Sequence, residues 1–395
     1  MTDLRTRQAG FEVTIVAHDI GGVGGMERVL SELIEGLRDR GDRVTVIARK
    51  CALRSMDSIR FHRVRGPRRP FVFAYPWFLL AGSLAVRRRR RGLVQSTGAI
   101  VLNRVDVIAV HYVHQVGPAH PSRAGIAFRA HARLVALLKR AGERACFAIN
   151  RAASFVCVSD GVAAELREQY PQLAGRVATI HNGVDTHTFA PGVRADDARA
   201  AREALAISSD ALVVLFVGSE WERKGLRPVL GALAGAHAWT LVVAGGGDRA
   251  RYERVADSLG VGSSVRWLGI TQDVQLAYAL ADAFVLASSY ETFSLVSFEA
   301  AASGLPLLCT PVSGVRELIS DGVSGFFITA EARDIAARLQ QLGADAELRS
   351  RLAAAAREAA LRYSWEAMVE RHRALYGRLL GQRTQTGAAH PQRVA

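Results

Sequence analysis

The sequence predicts two consecutive α/β domains, each a series of β-strands alternating with helices, and three observations carry that expectation. The chain has 395 residues, 49% of them apolar, with 36 glycines, enough for two cores of ordinary domain size. Its start reads strand, glycine-rich loop, amphipathic helix, strand. A turn-rich junction at residues 180–185 is followed by a fresh strand at residues 211–217, where the alternation begins again.

Residues 11–17 form an apolar, β-prone run, and Gly21-Gly22-Val23-Gly24-Gly25-Met26-Glu27-Arg28 follows it directly. Residues 26–40 carry Val29, Leu30, Leu33, Ile34 and Leu37 at helical spacing. Gly41 ends that helix, and residues 44–48 are the second strand. A glycine loop between strand and helix lets backbone amides approach phosphate or sugar oxygens. A dinucleotide fingerprint fits badly, because in the frame Gly22-x-Gly24 the third glycine is Glu27. The second strand ends in Arg49-Lys50 and not in a ribose-binding acid, which leaves NADP as the rival ligand.

Residues 71–86 are the longest apolar run, broken by Pro76 and closed by Arg87 to Arg91. It reads either as a packed helix whose arginines reach back to water or as an interfacial anchor. The need for buried helices in such a domain favours the first. Residues 105–110 are a strongly apolar strand ending in His111-Tyr112-Val113-His114-Gln115. Ligands bind beyond the carboxyl ends of strands in open α/β sheets, which points His111 and His114 at a site. Residues 118–151 form a basic segment in which Phe128, Leu134, Leu137 and Leu138 line one face. It is a solvated amphipathic helix or a surface that touches lipid headgroups or an acceptor. Residues 154–158 resume the sheet, and Ser159-Asp160 caps a helix to Gln169.

The domain boundary is expected after residue 184. Beyond a helix at 196–205, the strand at 211–217 runs into Gly218-Ser219-Glu220-Trp221-Glu222-Arg223-Lys224-Gly225, whose adjacent cations offer charge to a diphosphate leaving group. The strand at 239–244 leads into Gly245-Gly246-Gly247-Asp248, and Arg266-Trp267-Leu268-Gly269 places backbone beside a base. A helix at 273–280 precedes the stretch on which the second domain turns, Ser289-Tyr290-Glu291-Thr292-Phe293-Ser294-Leu295-Val296-Ser297-Phe298-Glu299. Ser294 suits an N-cap, residues 296–302 carry a short helix, and Gly304 and Pro306 stop it. The amides of Phe293, Ser294 and Leu295 then face out of the positive helix end, as a phosphate requires. Glu291 before the helix and Glu299 inside it can each accept hydrogen bonds from a sugar, one at either end of a diphosphate. Further helices follow at 335–342 and 346–361, then a last one at 365–380, and residues 381–395 read as a disordered tail.

Composition narrows the class. The four cysteines have no C-x-x-C spacing, as in a reduced, cytosolic chain without structural zinc. The polar start predicts no secretory signal, and no apolar run reaches the ~18 residues of a bilayer span. The net charge of +14 is uneven: residues 1–185 hold 29 Lys/Arg against 15 Asp/Glu, and residues 186–395 hold 22 against 22. The first half is therefore expected to meet something acidic, an anionic membrane or acceptor.

With these motifs in order, the chain resembles the retaining GT-B glycosyltransferases of family 4. The likeness runs from the Gly21–Arg28 loop through Asn182-Gly183-Val184-Asp185 and Arg223-Lys224-Gly225 to Glu291 and Glu299. The stretch around Gly218-Ser219-Glu220-Trp221-Glu222-Arg223-Lys224-Gly225 is most similar to the lipopolysaccharide-core glucosyltransferase branch. The resemblance implies two Rossmann-like domains facing a cleft, with the last helix crossing back to the N-terminal domain. It implies transfer of a hexose from a UDP- or GDP-linked sugar to a glycolipid or other envelope glycan, without a metal. His111, Glu291, Arg223 and Lys224 are the implied catalytic set. Gly22, Gly24, Gly25, Ser219, Gly245, Trp267, Phe293, Ser294, Leu295 and Glu299 would hold the donor, with His114 as the alternative histidine. The implied setting is the cytoplasm, with peripheral contact to the inner face of an anionic membrane and no nucleic-acid partner. A GT-B epimerase and a non-catalytic nucleotide-sugar-binding subunit are the alternatives.

Overall fold

The computed structural model describes residues 10–22, 24–116, 126–271 and 273–385. Two compact units emerge, one holding the chain to His181 and again from Trp365, the other Asn182–Ser364.

The first unit contains β1 (Glu12–Val16), β2 (Asp19–Ile20), α1 (Gly25–Asp39), β3 (Arg43–Ala48), β4 (Lys50–Cys51), β5 (Ile59–Arg63), α2 (Phe71–Arg89), β6 (Leu93–Thr97), β7 (Val107–Val110), α3 (Ile126–Ile149), β8 (Ser154–Cys157), α4 (Asp160–Gln169) and β9 (Val177–Thr179). Seven strands form one parallel sheet in the order β5-β3-β1-β6-β7-β8-β9. Parallel strands are covered on both faces, which is why β1, β3 and β7 are almost continuously apolar. The order reverses between β1 and β6, so the glycine loop leaving β1 lies at the topological switch point. Helix α1 buries the stripe Val29, Leu30, Leu33, Ile34 and Leu37. Helix α2 meets neither sequence reading alone. It packs Ala74, Tyr75, Phe78, Gly82 and Val86 but leaves Phe73, Trp77, Leu80 and Leu84 exposed. In α3, Leu134 and Leu137 are exposed, while the side chain of Phe128 and residues 117–125 lie outside the described residues.

The second unit contains α5 (Ala195–Ala204), β10 (Leu212–Val217), α6 (Leu226–Leu233), β11 (Trp239–Ala244), α7 (Arg249–Ser258), β12 (Val265–Gly269), α8 (Val274–Ala279), β13 (Ala283–Leu286), α9 (Leu295–Ala302), β14 (Leu307–Cys309), α10 (Val315–Leu318), β15 (Gly325–Phe327), α11 (Ala332–Ala344) and α12 (Ala346–Leu361). Its parallel sheet has the order β12-β11-β10-β13-β14-β15, reversing between β10 and β13. Small residues bring helices close: Gly231 of α6 and Gly235 in the turn after it face Ala332 and Ala336 of α11. Arg357 of α12 donates to the carbonyls of Thr186, Phe189 and Ala302, tying the entry of the unit to the end of α9.

Helix α13 (Trp365–Gln385) belongs to the first unit. It lies on α1, where Gly36 admits Val369, and Tyr376 Oη donates to buried Gln95 at 2.7 Å. Arg373 Nε donates to Asp42 Oδ2 at 3.0 Å while Asp42 Oδ1 accepts from the Phe11 amide at 2.8 Å. The helix runs past Leu380, so residues 381–385 are helical and not the tail expected there; residues 386–395 lie outside the described residues.

Candidate active site

Because every strand of the second sheet is parallel, the loops after β10, β11, β12, β13 and β14 all gather at one edge. Neighbours β10 and β13 send their chains in opposite directions along the sheet, and the crevice between such loops is where α/β folds bind ligands. Arg223 and Lys224 stand in the loop after β10 and Glu291 in the loop after β13.

Three side chains converge on one oxygen. Glu291 Oε1 accepts from Lys224 Nζ at 2.9 Å and from Ser288 Oγ at 3.0 Å, and Arg223 Nη1 lies 3.2 Å away. Arg223 also donates to the Tyr290 carbonyl and pairs with Glu220 at 2.9 Å. Burial alone would raise the Glu291 carboxyl, but Lys224, then Arg223, outweigh it and hold it below the usual carboxylate range. Burial likewise opposes the charge on Arg223, yet Glu291 and Glu220 raise its pKa above the ordinary value. The carboxylate is thus kept ionised and the guanidinium charged.

The backbone fixes these groups. Gly225 has φ +75°, and a Cβ there would stand 2.2 Å from the Ala287 carbonyl oxygen, so the two loops touch without room for a side chain. The Ser289 amide donates to the Arg223 carbonyl at 2.9 Å. Trp221, which sequence reasoning did not single out, is buried and donates from its indole to the Gly218 carbonyl at 2.8 Å. The loop after β14 closes in through Thr310 Oγ1, 2.6 Å from the Ser288 carbonyl, and through Gly314, where a Cβ would meet Phe293 O at 2.0 Å.

Ser294 stands at the N-cap of α9 as expected, but not as a capping side chain. It adopts the left-handed region, φ 67° and ψ 63°, and its hydroxyl meets Ser297 Oγ at 2.8 Å, not a helix amide. A non-glycine residue held there stores strain of about 1–3 kcal/mol, which collects at functional sites. Leu295 opens the helix, and its amide has no i−4 carbonyl within it. Phe293 is buried and stacked on Phe298. Glu299 is 5% exposed, and its Oε2 accepts from Tyr278 Oη at 2.9 Å, a partner that the sequence did not reveal. Ser219 is exposed at the same edge. Gly245 has φ +113° and lies so close to Gly218 that a Cβ would meet its carbonyl oxygen at 2.2 Å. Trp267 packs obliquely against Trp221, ring centroids 5.4 Å apart.

The first unit holds the remaining predicted residues. Gly22 has φ +108° and Gly24 φ +156°, with Glu27 folded so closely over Gly24 that a Cβ there would meet Glu27 Oε2 at 2.1 Å; Gly25 opens α1. His111 follows β7, and burial, then the nearby His372, push its pKa down to about 4, so the imidazole is neutral at neutral pH. His114 is also lowered to about 4, by burial and then Lys139. Glu143 of α3, 1% exposed, fixes this loop. Its Oε2 accepts from the His114 amide at 2.9 Å and its Oε1 from Tyr170 Oη at 2.8 Å.

Two family models match the sequence, one described as "Glycosyltransferase Family 4" over residues 23–188 and one as "Glycosyl transferases group 1" over residues 197–359. A D-inositol 3-phosphate glycosyltransferase of Corynebacterium urealyticum is 30% identical over 251 residues, 58% of this chain and 58% of that protein. One of Mycobacterium bovis is 31% identical over 257 residues, 62% of this chain and 52% of that protein. The chain thus spans between half and three-fifths of the length of these relatives. Among solved structures, WaaG, a glycosyltransferase involved in lipopolysaccharide biosynthesis, superposes with a TM-score of 0.76 at 21% identity, covering 92% of this chain and 99% of that one. Anabaena Alr3699/HepE in complex with UDP gives 0.72 at 18% identity, covering 93% and 100%. At such identities the likeness is one of fold.

Proposed function

The chain belongs to the family 4 glycosyltransferases, with their GT-B fold, and from that premise we propose that it moves a hexose from a UDP- or GDP-linked sugar to a glycolipid or other cell-envelope glycan, with retention at the anomeric carbon. The observation that carries the donor site is the convergence of Arg223 and Lys224 on Glu291 at the switch point of the second unit.

A diphosphate entering there takes over the two cations, and Glu291 is released to accept from sugar hydroxyls. Its described partners all gather on Oε1, which suits Oε2 to that task. The amides at the start of α9 add donors for a phosphate oxygen, and Glu299, held by Tyr278, binds the ribose. As the glycosidic bond breaks, negative charge grows on the leaving phosphate, where Arg223 and Lys224 stabilise it. They supply the positive charge that a metal would otherwise bring. His111 of the first unit, neutral at neutral pH, is in this reading a hydrogen-bond donor to a sugar. The leaving phosphate then assists removal of the acceptor proton on the face it vacates, which accounts for retention without a protein nucleophile.

In this reading the second unit takes the donor and the first unit the acceptor. The basic excess of the first half suits an anionic acceptor presented at the cytoplasmic face of a membrane. The test is a panel of nucleotide-sugars with and without lipid-linked acceptor. Nucleotide release only when acceptor is present, and a product with the donor's anomeric configuration, are expected. Release without acceptor, or an epimerised donor, would refute transfer.

A further inference from the structure

We infer, on the reading of His111 as a hydrogen-bond donor to a sugar, that Glu143 of α3 is a positioning residue for transfer: by holding the main chain of His114 it sets where the loop after β7 presents its histidines. His111 follows Val110, the last residue of β7, and the chain turns at once, the Val116 amide donating to the Val113 carbonyl at 3.1 Å. Both main-chain polar groups of His114 are bonded to α3. Its amide donates to Glu143 Oε2 at 2.9 Å, and its carbonyl accepts from Arg140 Nε at 3.3 Å. Arg144 Nη2 reaches Gln115 Oε1 at 3.5 Å. Arg140, Glu143 and Arg144 are three and four residues apart, so one face of the helix holds the loop.

The helix is itself fixed to the sheet. One turn beyond Glu143, Phe147 packs edge-on against Phe155 of β8 and against Tyr170, with ring centroids 5.0 and 5.1 Å apart. Asn150, just past the helix end, accepts at Oδ1 from the Val105 amide at 2.8 Å and donates from Nδ2 to the Asn103 carbonyl at 3.1 Å. Glu143, Phe147 and Asn150 follow one another at helical spacing, so the face that grips the sheet also carries the carboxylate. Sheet and helix together define the place of the loop, and Glu143 is the link between them.

Packing alone does not call for an ionisable group here. Glu143 is 1% exposed, and a carboxylate withdrawn from water costs stability that an apolar side chain of similar size does not. Burial pushes its carboxyl above the ordinary range, while the His114 amide, the Tyr170 hydroxyl, Arg140 and Arg144 draw it back. Its two oxygens accept from the loop and from Tyr170 Oη, the latter at 2.8 Å, which no alkyl group could do. What the carboxylate adds over an apolar residue is a fixed place for the His114 backbone. The stake is large, because a misplacement of about 1 Å caused far from the chemistry can cost about 10²-fold in rate.

Loop order is measured on the full chain without donor or acceptor, so failure here is told apart from failure of the transfer reading. Glu143→Ala, and Glu143→Met with most of the packing volume kept, should speed hydrogen exchange across residues 111–116 at least roughly tenfold, with β10 and β11 unchanged. Glu143→Gln, whose carbonyl can still accept from the His114 amide, should stay within about threefold of the wild type. Tyr170→Phe is the structural control, since it removes the other donor and lowers the melting temperature but leaves the His114 bond. At saturating substrates, kcat should fall at least roughly tenfold in the Ala and Met variants and far less in the other two. Affinity for nucleoside diphosphate, which the second unit carries in this reading, should not change. Wild-type exchange across 111–116 in both the Ala and Met variants would overturn the inference. So would an equal loss of kcat in Tyr170→Phe, or full kcat in Glu143→Met where His111→Ala is impaired.

Discussion

Lys224 Nζ lies 2.9 Å from Glu291 Oε1, with both side chains only 11% exposed, although 67 residues separate them in the chain. The pair exists because β10 and β13 are neighbours, and the loops leaving them are pressed together at Gly225 and Ala287. One carboxylate neutralises two cations.

In the proposed donor site, replacing Lys224 by Ala removes a donor from the leaving phosphate. It should lower kcat by roughly 10²–10³ with a far smaller change in acceptor KM. Steady-state kinetics at saturating donor measure this, and full turnover by the variant would refute the assignment.

Glu291→Gln leaves Arg223 and Lys224 without their shared counter-charge in a mostly buried place. Unfolding free energy should fall by about 1–3 kcal/mol, read from urea titration. Added nucleoside diphosphate should restore much of the loss, because it supplies the missing negative charge and binds only the folded state.

Gly225→Ala puts a Cβ 2.2 Å from the Ala287 oxygen at φ +75°. The loops must separate, at a cost of more than about 1 kcal/mol. Thermal denaturation should show the loss, and calorimetry should show weakened nucleotide-sugar binding because Lys224 is the next residue. An unchanged melting temperature together with unchanged affinity would mean that the loops need not touch.

His372 is 5% exposed, and burial lowers its pKa from 6.5 to about 4. Between those values the unfolded chain binds a proton that the folded chain refuses. Stability therefore falls as pH drops through the window and is regained towards neutrality, by up to about 1.4 kcal/mol per pH unit for this one group. His372→Asn should show a shallower fall between pH 6.5 and pH 4 in urea midpoints. His18, His111 and His114, also lowered to about 4, share the same sign and remain in the variant.

Asp42 joins α13 to β1 by accepting from both Arg373 and the Phe11 amide. Asp42→Ala orphans both donors and should cost about 2–4 kcal/mol. Hydrogen exchange should then show α13 amides losing protection before those of β10 and β11.

Local signals were legible wherever chemistry and geometry share one short segment. The Met26–Arg40 stripe, the strand at 239–244 and the Ser159 cap, whose Oγ accepts from the Val162 amide, all follow from spacing and side-chain type. So do Arg223, Lys224 and Glu291 as charge-bearing groups at strand ends. Glu143 and Tyr278 were not legible: each acts on a residue 21 to 29 positions away, and nothing in its own neighbourhood marks it. Ser294 shows the limit of a local rule. A serine before a helix is expected to cap it, but the loop that Gly314 presses on leaves it in the left-handed region, with its hydroxyl on Ser297.

The sequence by itself determined that strands and helices alternate twice, which residues at their junctions carry charge, and that the basic excess lies in the first half. Those properties are written in residue type and spacing, and each is set within a few turns of chain. The order of the strands decided which charged loops became neighbours, and packing decided which face of α2 was covered and which was left to solvent. Both depend on burial shared among distant segments, a quantity that exists only once the chain has closed on itself.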